Sequence, residues 1–328
     1  MNYMGVFIAI AFTLSTLLVK SLIGQFRQTL IDIPNERSSH TQPTPRGGGL
    51  GFILSFYTVA GLASILNPAK SPEFIWLILI PLILIGFLDD WKNLPASIRY
   101  LVQLSVSAIV ITSLGAFPII SNQSTTPILE IGAMIVSIIA MTALINFYNF
   151  MDGLDGLVAG TALIQLSFLA FWSHNPSLWI LVAALSGFLL WNWHPAKIFM
   201  GDSGSTFLGA TIAVAILSKN TTPTDAWAAL SITFPITADA IYTLSRRLLR
   251  RENIFQAHRS HLYQRLQQSG WSHGQVAIAY MAITLTMTIA ILAYGGLGAV
   301  VSCFWFATFI LLAEVYLHNQ YPIRKELQ

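Results

Sequence analysis

Residues 130–157 read EIGAMIVSIIAMTALINFYNFMDGLDGL, a long apolar run that ends in amides, carboxylates and glycines. An apolar stretch of about 20 residues is long enough to cross a lipid bilayer as a helix. The same criterion, applied to all 328 residues, predicts about eleven membrane helices. They are expected at residues 3–23, 47–66, 73–88, 98–116, 130–147, 156–172, 177–193, 205–218, 226–244, 275–294 and 296–317. The sequence therefore predicts an all-α integral membrane protein, with residues 1–328 forming a single polytopic domain.

The composition indicates the same class. Hydrophobic residues make up 55% of the chain and charged residues only 9%, whereas soluble domains carry about 25% charged residues. So few charges cannot cover a water-soluble surface, and most of the chain must face lipid. The single cysteine, Cys303, lies in an apolar run, which excludes a disulfide framework and a cysteine metal site. The net charge of +3 is explained by basic loops and does not indicate a nucleic-acid partner.

The positions of lysine and arginine predict the orientation of the chain. Cytoplasmic loops of membrane proteins carry an excess of these residues. With the N-terminus outside, 15 of the 17 basic residues fall inside, and only Lys70 and Lys219 fall outside. We therefore expect the N-terminus outside, the C-terminus inside and a multi-pass protein in the bilayer.

Several carboxylates fall at the inner ends of the predicted helices. They are Asp89, Asp90, Asp152, Asp155 and Asp202, with Asp239 one or two turns inside the ninth helix. Ionised carboxylates at membrane depth are costly and are normally retained for a partner or a pathway. The sequence thus predicts one shared site on the inner face. The segments expected to form it are residues 24–46, 88–98, 147–156, 192–205 and 245–274.

Two of these segments have the strongest patterns. If the fifth helix continues, Asn146, Asn149 and Asp152 share one of its faces, and the glycines beyond it let a ligand approach the backbone. The stretch FMGDSGS, residues 199–205, precedes another apolar helix, whose exposed N–H groups suit a phosphate. Asp202 in that stretch would offer Mg²⁺ a carboxylate oxygen. The alternatives are a solvated loop for the first segment and an ordinary capped turn for the second.

The other segments are weaker alone. The adjacent carboxylates of Asp89 and Asp90 repel each other, so one needs a cation or a raised pKa; Lys92 could make them a plain charge cluster. Arg46, together with Arg37 and His40, offers positive groups for phosphates, although positive-inside loops need no ligand.

The last inside loop contains an arginine run followed by residues 258–261. His258 and His261 are three residues apart and flank Arg259, so all three could face a diphosphate. A topology signal that anchors lipid headgroups is the commoner meaning of such a run. The remaining histidines, His174, His194, His273 and His318, are interpreted as interfacial bystanders, although His194 lies near the expected site in sequence.

Together these segments resemble the polyprenyl-phosphate N-acetylhexosamine-1-phosphate transferase superfamily, glycosyltransferase family 4. The matching strings are PTPRGGG (43–49), the Asp89–Asp90 pair, NFMDGLDG (149–156), FMGDSGS (199–205) and HRSH (258–261), which occur in the family's order and span nearly the whole chain. The HRSH string resembles the O-antigen-initiating branch. It departs from the histidine triplet of the peptidoglycan branch, as does Arg46, where that branch has methionine.

The resemblance implies transfer of a sugar-1-phosphate from a UDP-N-acetylhexosamine to undecaprenyl phosphate, releasing UMP, at the cytoplasmic face of a bacterial inner membrane. It implies Mg²⁺, with Mn²⁺ as an alternative, held by Asp202 and also near Asp90. Asp89 would be the base or the anchor for the lipid phosphate. Nucleotide contacts are implied for Asn149, Asp152, Asp155 and Asn192, and diphosphate or sugar contacts for His258, Arg259 and His261. A homodimer is compatible with an enzyme of this size.

Two other classes of protein were weighed against the enzyme. A proton- or ion-coupled secondary transporter would also have many helices and intramembrane carboxylates. However, the carboxylates here lie at helix ends and not near the midplane, and the halves show no convincing inverted repeat. A scaffold or lipid-binding protein would not need the aspartates. The donor sugar and the choice between direct and double displacement stay open.

Overall fold

The computed structural model describes residues 3–35, 38–66, 74–118, 126–218, 222–253, 256 and 258–326, with side chains up to residue 320. Within these ranges the chain forms thirteen α-helices and one two-stranded sheet. The helices are α1 (Met4–Phe26), α2 (Gly49–Leu66), α3 (Ile80–Lys92), α4 (Ala96–Leu114), α5 (Pro127–Met151), α6 (Leu157–Trp172), α7 (Pro176–Asn192), α8 (Asp202–Leu217), α9 (Pro223–Ser231), α10 (Phe234–Leu249), α11 (Leu262–Gln268), α12 (His273–Tyr294) and α13 (Gly296–Glu326). A 3₁₀ helix, Phe74–Leu79, leads directly into α3. The strands β1 (Ile31–Asp32) and β2 (Thr44–Pro45) pair antiparallel.

The predicted class, an all-α integral membrane protein, is confirmed. Seven helical segments are long and apolar enough to cross a membrane: α1, α2, Phe74–Lys92, α4, α5, α12 and the Gly296–Gln320 part of α13. Three shorter apolar helices, α6, α7 and α8, lie among them. The number of crossings and the orientation of the termini stay predictions. Arg37, Lys70 and Lys219, which entered the prediction of orientation, lie outside the described residues.

Helix α8 lies at the centre of the bundle. Every residue from Ser203 to Ile216 is buried, as expected for a helix that is apolar on all sides. It packs against α2, α3, α5 and α6. Its first residue is Asp202, so the predicted helix began three residues too late.

The N-terminus of α8 lies very close to two neighbouring helices. A Cβ atom at Gly49 of α2 would lie 2.5 Å from the Cα of Gly204, and one at Gly86 of α3 would lie 2.5 Å from the Cα of Ser203. Only glycine permits such approach of one backbone to another. The two contacts fix the start of α8 against the end of α3.

The ninth predicted helix, residues 226–244, is wrong as a single element. It is interrupted between α9 and α10, where Pro235 lies in the first turn of α10 and lacks an N–H group. The break frees the carbonyl of Ile232, which accepts a hydrogen bond from the buried Gln165 Nε2 at 2.9 Å. The hydrogen bond from Gln165 of α6 thus compensates for the helical hydrogen bond lost at the interruption. A contact between two helices cannot be predicted from the local sequence.

The connections α1–α2, α3–α4, α5–α6, α7–α8 and α10–α12 meet at one end of the bundle, hereafter the site end. His273 at the start of α12 contacts the carbonyl of Ser39, and Arg99 at the start of α4 contacts Asp202. Residues far apart in sequence are therefore neighbours at the site end.

Substituting Gly86→Ala tests the close packing of α3 on α8. The new methyl group would meet backbone atoms that cannot move independently, and such overpacking costs about 1–3 kcal/mol. We expect a lower thermal unfolding temperature in detergent. Gly132→Ala in α5 is the matched control, because a Cβ there meets nothing within 4 Å. Equal unfolding temperatures for both variants would contradict the packing described for Gly86.

Candidate functional site

A cavity of about 380 Å³ opens at the site end. Its lining comes from the α1–α2 connection, the end of α3, the α5–α6 connection, the segment before α8, and the α11 and α12 region. Among the residues singled out from the sequence, it includes Arg46, Asp90, Asn149, Asp152, Asp155, Asn192 and Asp202. Asp89, His258, Arg259 and His261 are not part of the lining.

Asp90 and Asp202 form the inner wall of the cavity. Asp90 is 3% exposed, and its Oδ1 atom accepts a hydrogen bond from the backbone N–H of Asp202 at 3.2 Å. Its other oxygen, Oδ2, is buried and has no hydrogen-bond partner among the described residues. A buried carboxylate oxygen in that state is a candidate ligand for a cation. Two carboxylates beside an open cavity suit Mg²⁺, which prefers oxygen ligands.

Asp89 is not among the residues that line the cavity, and it contacts the start of α4. Its Oδ1 atom accepts a hydrogen bond from the Leu94 N–H at 2.6 Å, and its Oδ2 atom lies 2.6 Å from Arg99 Nη1. The same Arg99 nitrogen lies 3.2 Å from Asp202 Oδ2. Both oxygens of Asp89 are therefore engaged, and Arg99 links it to Asp202. Sequence reasoning had used Arg99 only as a topology marker.

The end of α5 supplies the amide and carboxylate on the opposite wall. The helix continues to Met151, which brings Asn149 to the cavity, and Asp152 follows as the C-cap residue. Asn149 Nδ2 donates to Ser205 Oγ in α8 at 3.1 Å. Burial, and then the negative charges of Asp202, Asp90 and Asp155, raise the pKa of Asp152 to about 8. The cavity thus holds more negative charge than its own cations neutralise.

The α1–α2 connection is tied to the segment before α8. Phe199 donates its N–H to the Pro45 carbonyl at 2.8 Å, and the Phe199 carbonyl accepts from the Gly48 N–H at 2.9 Å. These bonds hold Arg46, whose Nη2 atom donates to the Asp90 backbone carbonyl and whose Nε atom lies 4.0 Å from Asp90 Oδ1. A guanidinium is thereby held beside the inner carboxylates.

Asn192 and Asp155 line another side of the cavity. Asn192 accepts from the Gly156 N–H at 3.1 Å and donates to the Ile198 carbonyl at 3.0 Å, so its amide is held in place. Asp155 contacts two histidines, His194 at 2.7 Å and His273 at 3.2 Å. Burial would raise the pKa of Asp155, but hydrogen bonds with His273 and His194 outweigh it and lower that pKa.

The interpretation of His194 and His273 as bystanders is wrong. Ser272 caps α12, and its capping box with Gln275 places His273 in the first helical position, facing the site end. That Ser-His-Gly-Gln pattern, residues 272–275, was the available signal. For His194, the carboxylate partner lies 39 residues away in sequence, so no local pattern indicated it.

The loop at residues 258–261 is anchored below the cavity by Asp239. The carboxylate of Asp239 accepts hydrogen bonds from the N–H groups of Leu262 and Tyr263 at 2.9 and 3.2 Å and from the Tyr280 hydroxyl at 2.7 Å. The negative charge lies at the N-terminus of α11, where helix N–H groups are unpaired. Asp239 therefore holds α11, and Gln264 of α11 lines the cavity.

The two histidines of this loop are not arranged as expected. His261 is 3% exposed, and its Nδ1 atom lies 3.7 Å from Asp239 Oδ1. The His258 ring lies beside the His261 ring, with centres 4.9 Å apart and planes inclined at 32°. Burial, followed by the nearby charges of His261 and Arg247, lowers the pKa of His258 to about 4. His258 is uncharged at neutral pH and offers no positive charge to a phosphate.

Comparisons with known proteins give one consistent result. The model of glycosyl transferase family 4 matches residues 74–220. A probable undecaprenyl-phosphate N-acetylglucosaminyl 1-phosphate transferase of Bacillus subtilis (strain 168) is 29% identical over 280 residues, covering 79% of this chain and 76% of the relative. A decaprenyl-phosphate N-acetylglucosaminephosphotransferase of Mycobacterium leprae (strain TN) is 28% identical, with coverages of 87% and 81%. A phospho-N-acetylmuramoyl-pentapeptide-transferase of Staphylococcus carnosus (strain TM300) is 27% identical, with coverages of 84% and 94%.

Substituting Asp239→Asn tests the anchoring of α11. The amide keeps the shape but loses the charge, and hydrogen bonds to a charged group contribute about 1.5–3 kcal/mol each. We expect faster hydrogen–deuterium exchange at the amides of Leu262 and Tyr263, measured by mass spectrometry. Tyr280→Phe is the control, since it removes one donor to Asp239 and leaves the charge. Unchanged exchange in Asp239→Asn would contradict the anchor.

Proposed function

Since this chain belongs to the polyprenyl-phosphate hexosamine-1-phosphate transferase superfamily, we propose that it transfers N-acetylhexosamine-1-phosphate from a UDP-sugar to undecaprenyl phosphate. An oxygen of the lipid phosphate attacks the phosphorus that bears the sugar. The bond from that phosphorus to the UMP oxygen breaks, and UMP leaves. The products are undecaprenyl-diphospho-sugar and UMP.

One observation carries the proposal: Asp90, Asp202, Asn149, Asp152 and Arg46 line one cavity at the end of a membrane bundle. Phosphoryl transfer depends mainly on positioning and on neutralising charge. The carboxylates of this cavity provide ligands for a cation, and the Arg46 guanidinium provides donors for phosphate oxygens. The location of the cavity at a helix end also gives a lipid phosphate access from the bilayer.

The inner wall fits a divalent cation. The buried Asp90 Oδ2 lacks a hydrogen-bond partner among the described residues, and the carboxylate of Asp202 faces the same cavity. These two residues would hold Mg²⁺, or Mn²⁺ in its place, with Asp152 nearby in the same cavity. When bound, the ion would neutralise the diphosphate and make UMP a better leaving group.

The chain's own residues would position the reactants. The Asp202 N–H at the start of α8 donates to Asp90 Oδ1 at 3.2 Å, so Arg46 is the group that we propose as donor to a phosphate oxygen. Asn149 would contact the nucleotide from α5, and Asp155 and Asn192 would shape that side of the cavity. Because both oxygens of Asp89 are engaged by Leu94 and Arg99, we assign Asp89 to positioning Arg99. The catalytic role predicted for Asp89 passes to Asp90, which faces the cavity.

The His258–His261 loop receives a changed assignment. With His261 buried and His258 uncharged, its contribution would be to place Gln264 of α11 in the cavity wall. Arg259 retains its predicted contact with the sugar or diphosphate as a proposal.

The names of the relatives suggest the donor sugar, and the HRSH string suggests the pathway. The relatives from Bacillus subtilis and Mycobacterium leprae are named for N-acetylglucosamine, which makes UDP-N-acetylglucosamine the first donor to test. The HRSH string favours the O-antigen branch, although none of the three relatives is named for it. The basic loops support a cytoplasmic active site in a bacterial inner membrane, with the N-terminus outside and the C-terminus inside.

A secondary transporter is the less favoured alternative. The cavity carboxylates lie at helix ends, whereas transporter sites lie near the bilayer midplane. The three named relatives are transferases. Transport of a labelled solute into liposomes, without consumption of UDP-sugar, would reverse this order of preference.

The reaction itself is the first prediction to test. Purified protein in detergent, given undecaprenyl phosphate, Mg²⁺ and a panel of UDP-N-acetylhexosamines, should release UMP. Release should stop when the lipid is omitted or EDTA is added, because the proposal requires both the acceptor and the metal. UMP release without the lipid would indicate hydrolysis, and none from any donor by folded protein would contradict the proposal.

Single substitutions test the inner wall. Asp90→Asn and Asp202→Asn should each lower turnover by about 10²–10³-fold, the usual loss when one preorganised group at a developing charge is removed. The matched control is Asp225→Asn in the first turn of α9, at the opposite end of the bundle, which should retain normal turnover. Normal UMP release by Asp202→Asn, measured in the same assay, would mean that the metal assignment is wrong.

A further inference from the structure

Asp155, His194 and His273 form a compact cluster that the proposed transfer does not use directly. His194 Nδ1 lies 2.7 Å from Asp155 Oδ2, and His273 Nδ1 lies 3.2 Å from Asp155 Oδ1. One ligand atom from each residue lies within 4.8 Å of the other two. The three residues come from the α5–α6 connection, the segment after α7 and the start of α12, so the fold brings them together.

The geometry points to a site for a divalent transition-metal ion of the zinc class, and we propose that Asp155, His194 and His273 bind such an ion. Two imidazole nitrogens and one carboxylate oxygen are a common ligand set for Zn²⁺. The site is separate in residues and in chemistry from the Asp90–Asp202 pair, which offers only oxygen. Imidazole suits Zn²⁺ and Co²⁺, whereas Mg²⁺ prefers carboxylates, carbonyls and water.

The spacing of the rings agrees with a shared ion. Zn–N bonds of about 2.0–2.1 Å at tetrahedral angles place the ligand atoms about 3.4 Å apart and the centres of two bound imidazoles about 5 Å apart. The rings of His194 and His273 have centres 5.1 Å apart, inclined at 37°. The ligand atoms, which lie within 4.8 Å of one another, would draw together around a bound ion.

The backbone carbonyl of Ser39 orients the His273 ring. His273 Nε2 lies 3.1 Å from the Ser39 carbonyl, and a carbonyl accepts only from a protonated nitrogen. His273 Nε2 therefore carries a proton. His273 Nδ1 lies 3.2 Å from Asp155 Oδ1 and 3.4 Å from the Asp155 backbone nitrogen, and it would bind an ion in its deprotonated form. A histidine that donates its other N–H to a backbone carbonyl is the usual outer-shell arrangement of a metal ligand.

The carboxylate is oriented in the same way. Asp155 Oδ2 accepts a hydrogen bond from the Ala196 N–H at 3.1 Å, and Asp155 is 7% exposed. The side chain of His194 is 39% exposed, which leaves an open position and a path for the ion to enter. Asp155 and His273 also line the cavity, so the ion would lie in its wall.

Cobalt binding to the full-length protein in detergent tests the proposal. After metal is removed with EDTA and the chelator is washed out, Co²⁺ is titrated while visible absorption is recorded. Cobalt held by nitrogen in a tetrahedral or five-coordinate site absorbs much more strongly than octahedral cobalt held by oxygen. We expect the strong bands in the wild type, and we expect Zn²⁺ to displace them.

Variants assign the signal to the three residues. His194→Gln should weaken Co²⁺ binding by at least about tenfold, the smallest loss usual even for an outer-shell partner of a metal ligand. His194 is partly exposed, so this variant should fold, and His273→Gln is the second test. His318→Gln, an exposed histidine on α13, is the matched control and should bind as the wild type does.

Asp202→Asn separates this proposal from the transferase proposal. It should keep the strong cobalt bands while losing UMP release, because the two properties use different residues. Strong bands that persist in His194→Gln, or bands that vanish in Asp202→Asn, would overturn the proposed site. Wild-type protein with only weak octahedral absorption would also overturn it, and would identify the cluster as a hydrogen-bonded support for the cavity wall.

Discussion

The structure depends on the burial of α8 and on the position of its N-terminus. A helix that is apolar on every side has no face for water and must be enclosed by others. Enclosure by α2, α3, α5 and α6 forces the ends of those helices to converge where α8 begins. The close approach at Gly49 and Gly86 brings Asp90 onto the first N–H groups of α8, so packing in the apolar core sets the geometry of the polar site.

The charges at that end then constrain the chemistry. Arg99 is shared between Asp89 and Asp202, and Arg46 lies beside Asp90. Asp155 is balanced by its own hydrogen-bond donors, which leaves the Asp90 Oδ2 atom and Asp152 uncompensated. Like charges in one enclosed space favour binding of a cation or a proton. A site that binds an anionic diphosphate needs positive charge as well, and a divalent cation meets both requirements.

Sequence reasoning identified the class of the protein and most of the cavity because both follow from local signals. An apolar run has a length that can be measured, and a carboxylate at its end is visible as an exception to the pattern. The features that the sequence did not predict share a different cause. Gln165 donates a hydrogen bond to the Ile232 carbonyl at the helix break, and Asp239 accepts one from the first residue of α11. His194 contacts Asp155, which is 39 residues away in sequence. Each depends on a contact between distant segments that no spacing reveals.

The histidines show that one residue type can have different roles within one site. His258 and His261 were predicted to bind a diphosphate because they flank an arginine in a motif. Burial and neighbouring positive charge lower the pKa of His258, and His261 lies beside Asp239. His273 attracted no attention, yet it connects the Ser39 carbonyl to Asp155 and so joins the first connection to the cavity wall. A histidine held between a carbonyl and a carboxylate has its ring plane fixed, which is what a ligand or a support requires. The partners of a titratable group, more than its presence in a motif, therefore determine what it can do.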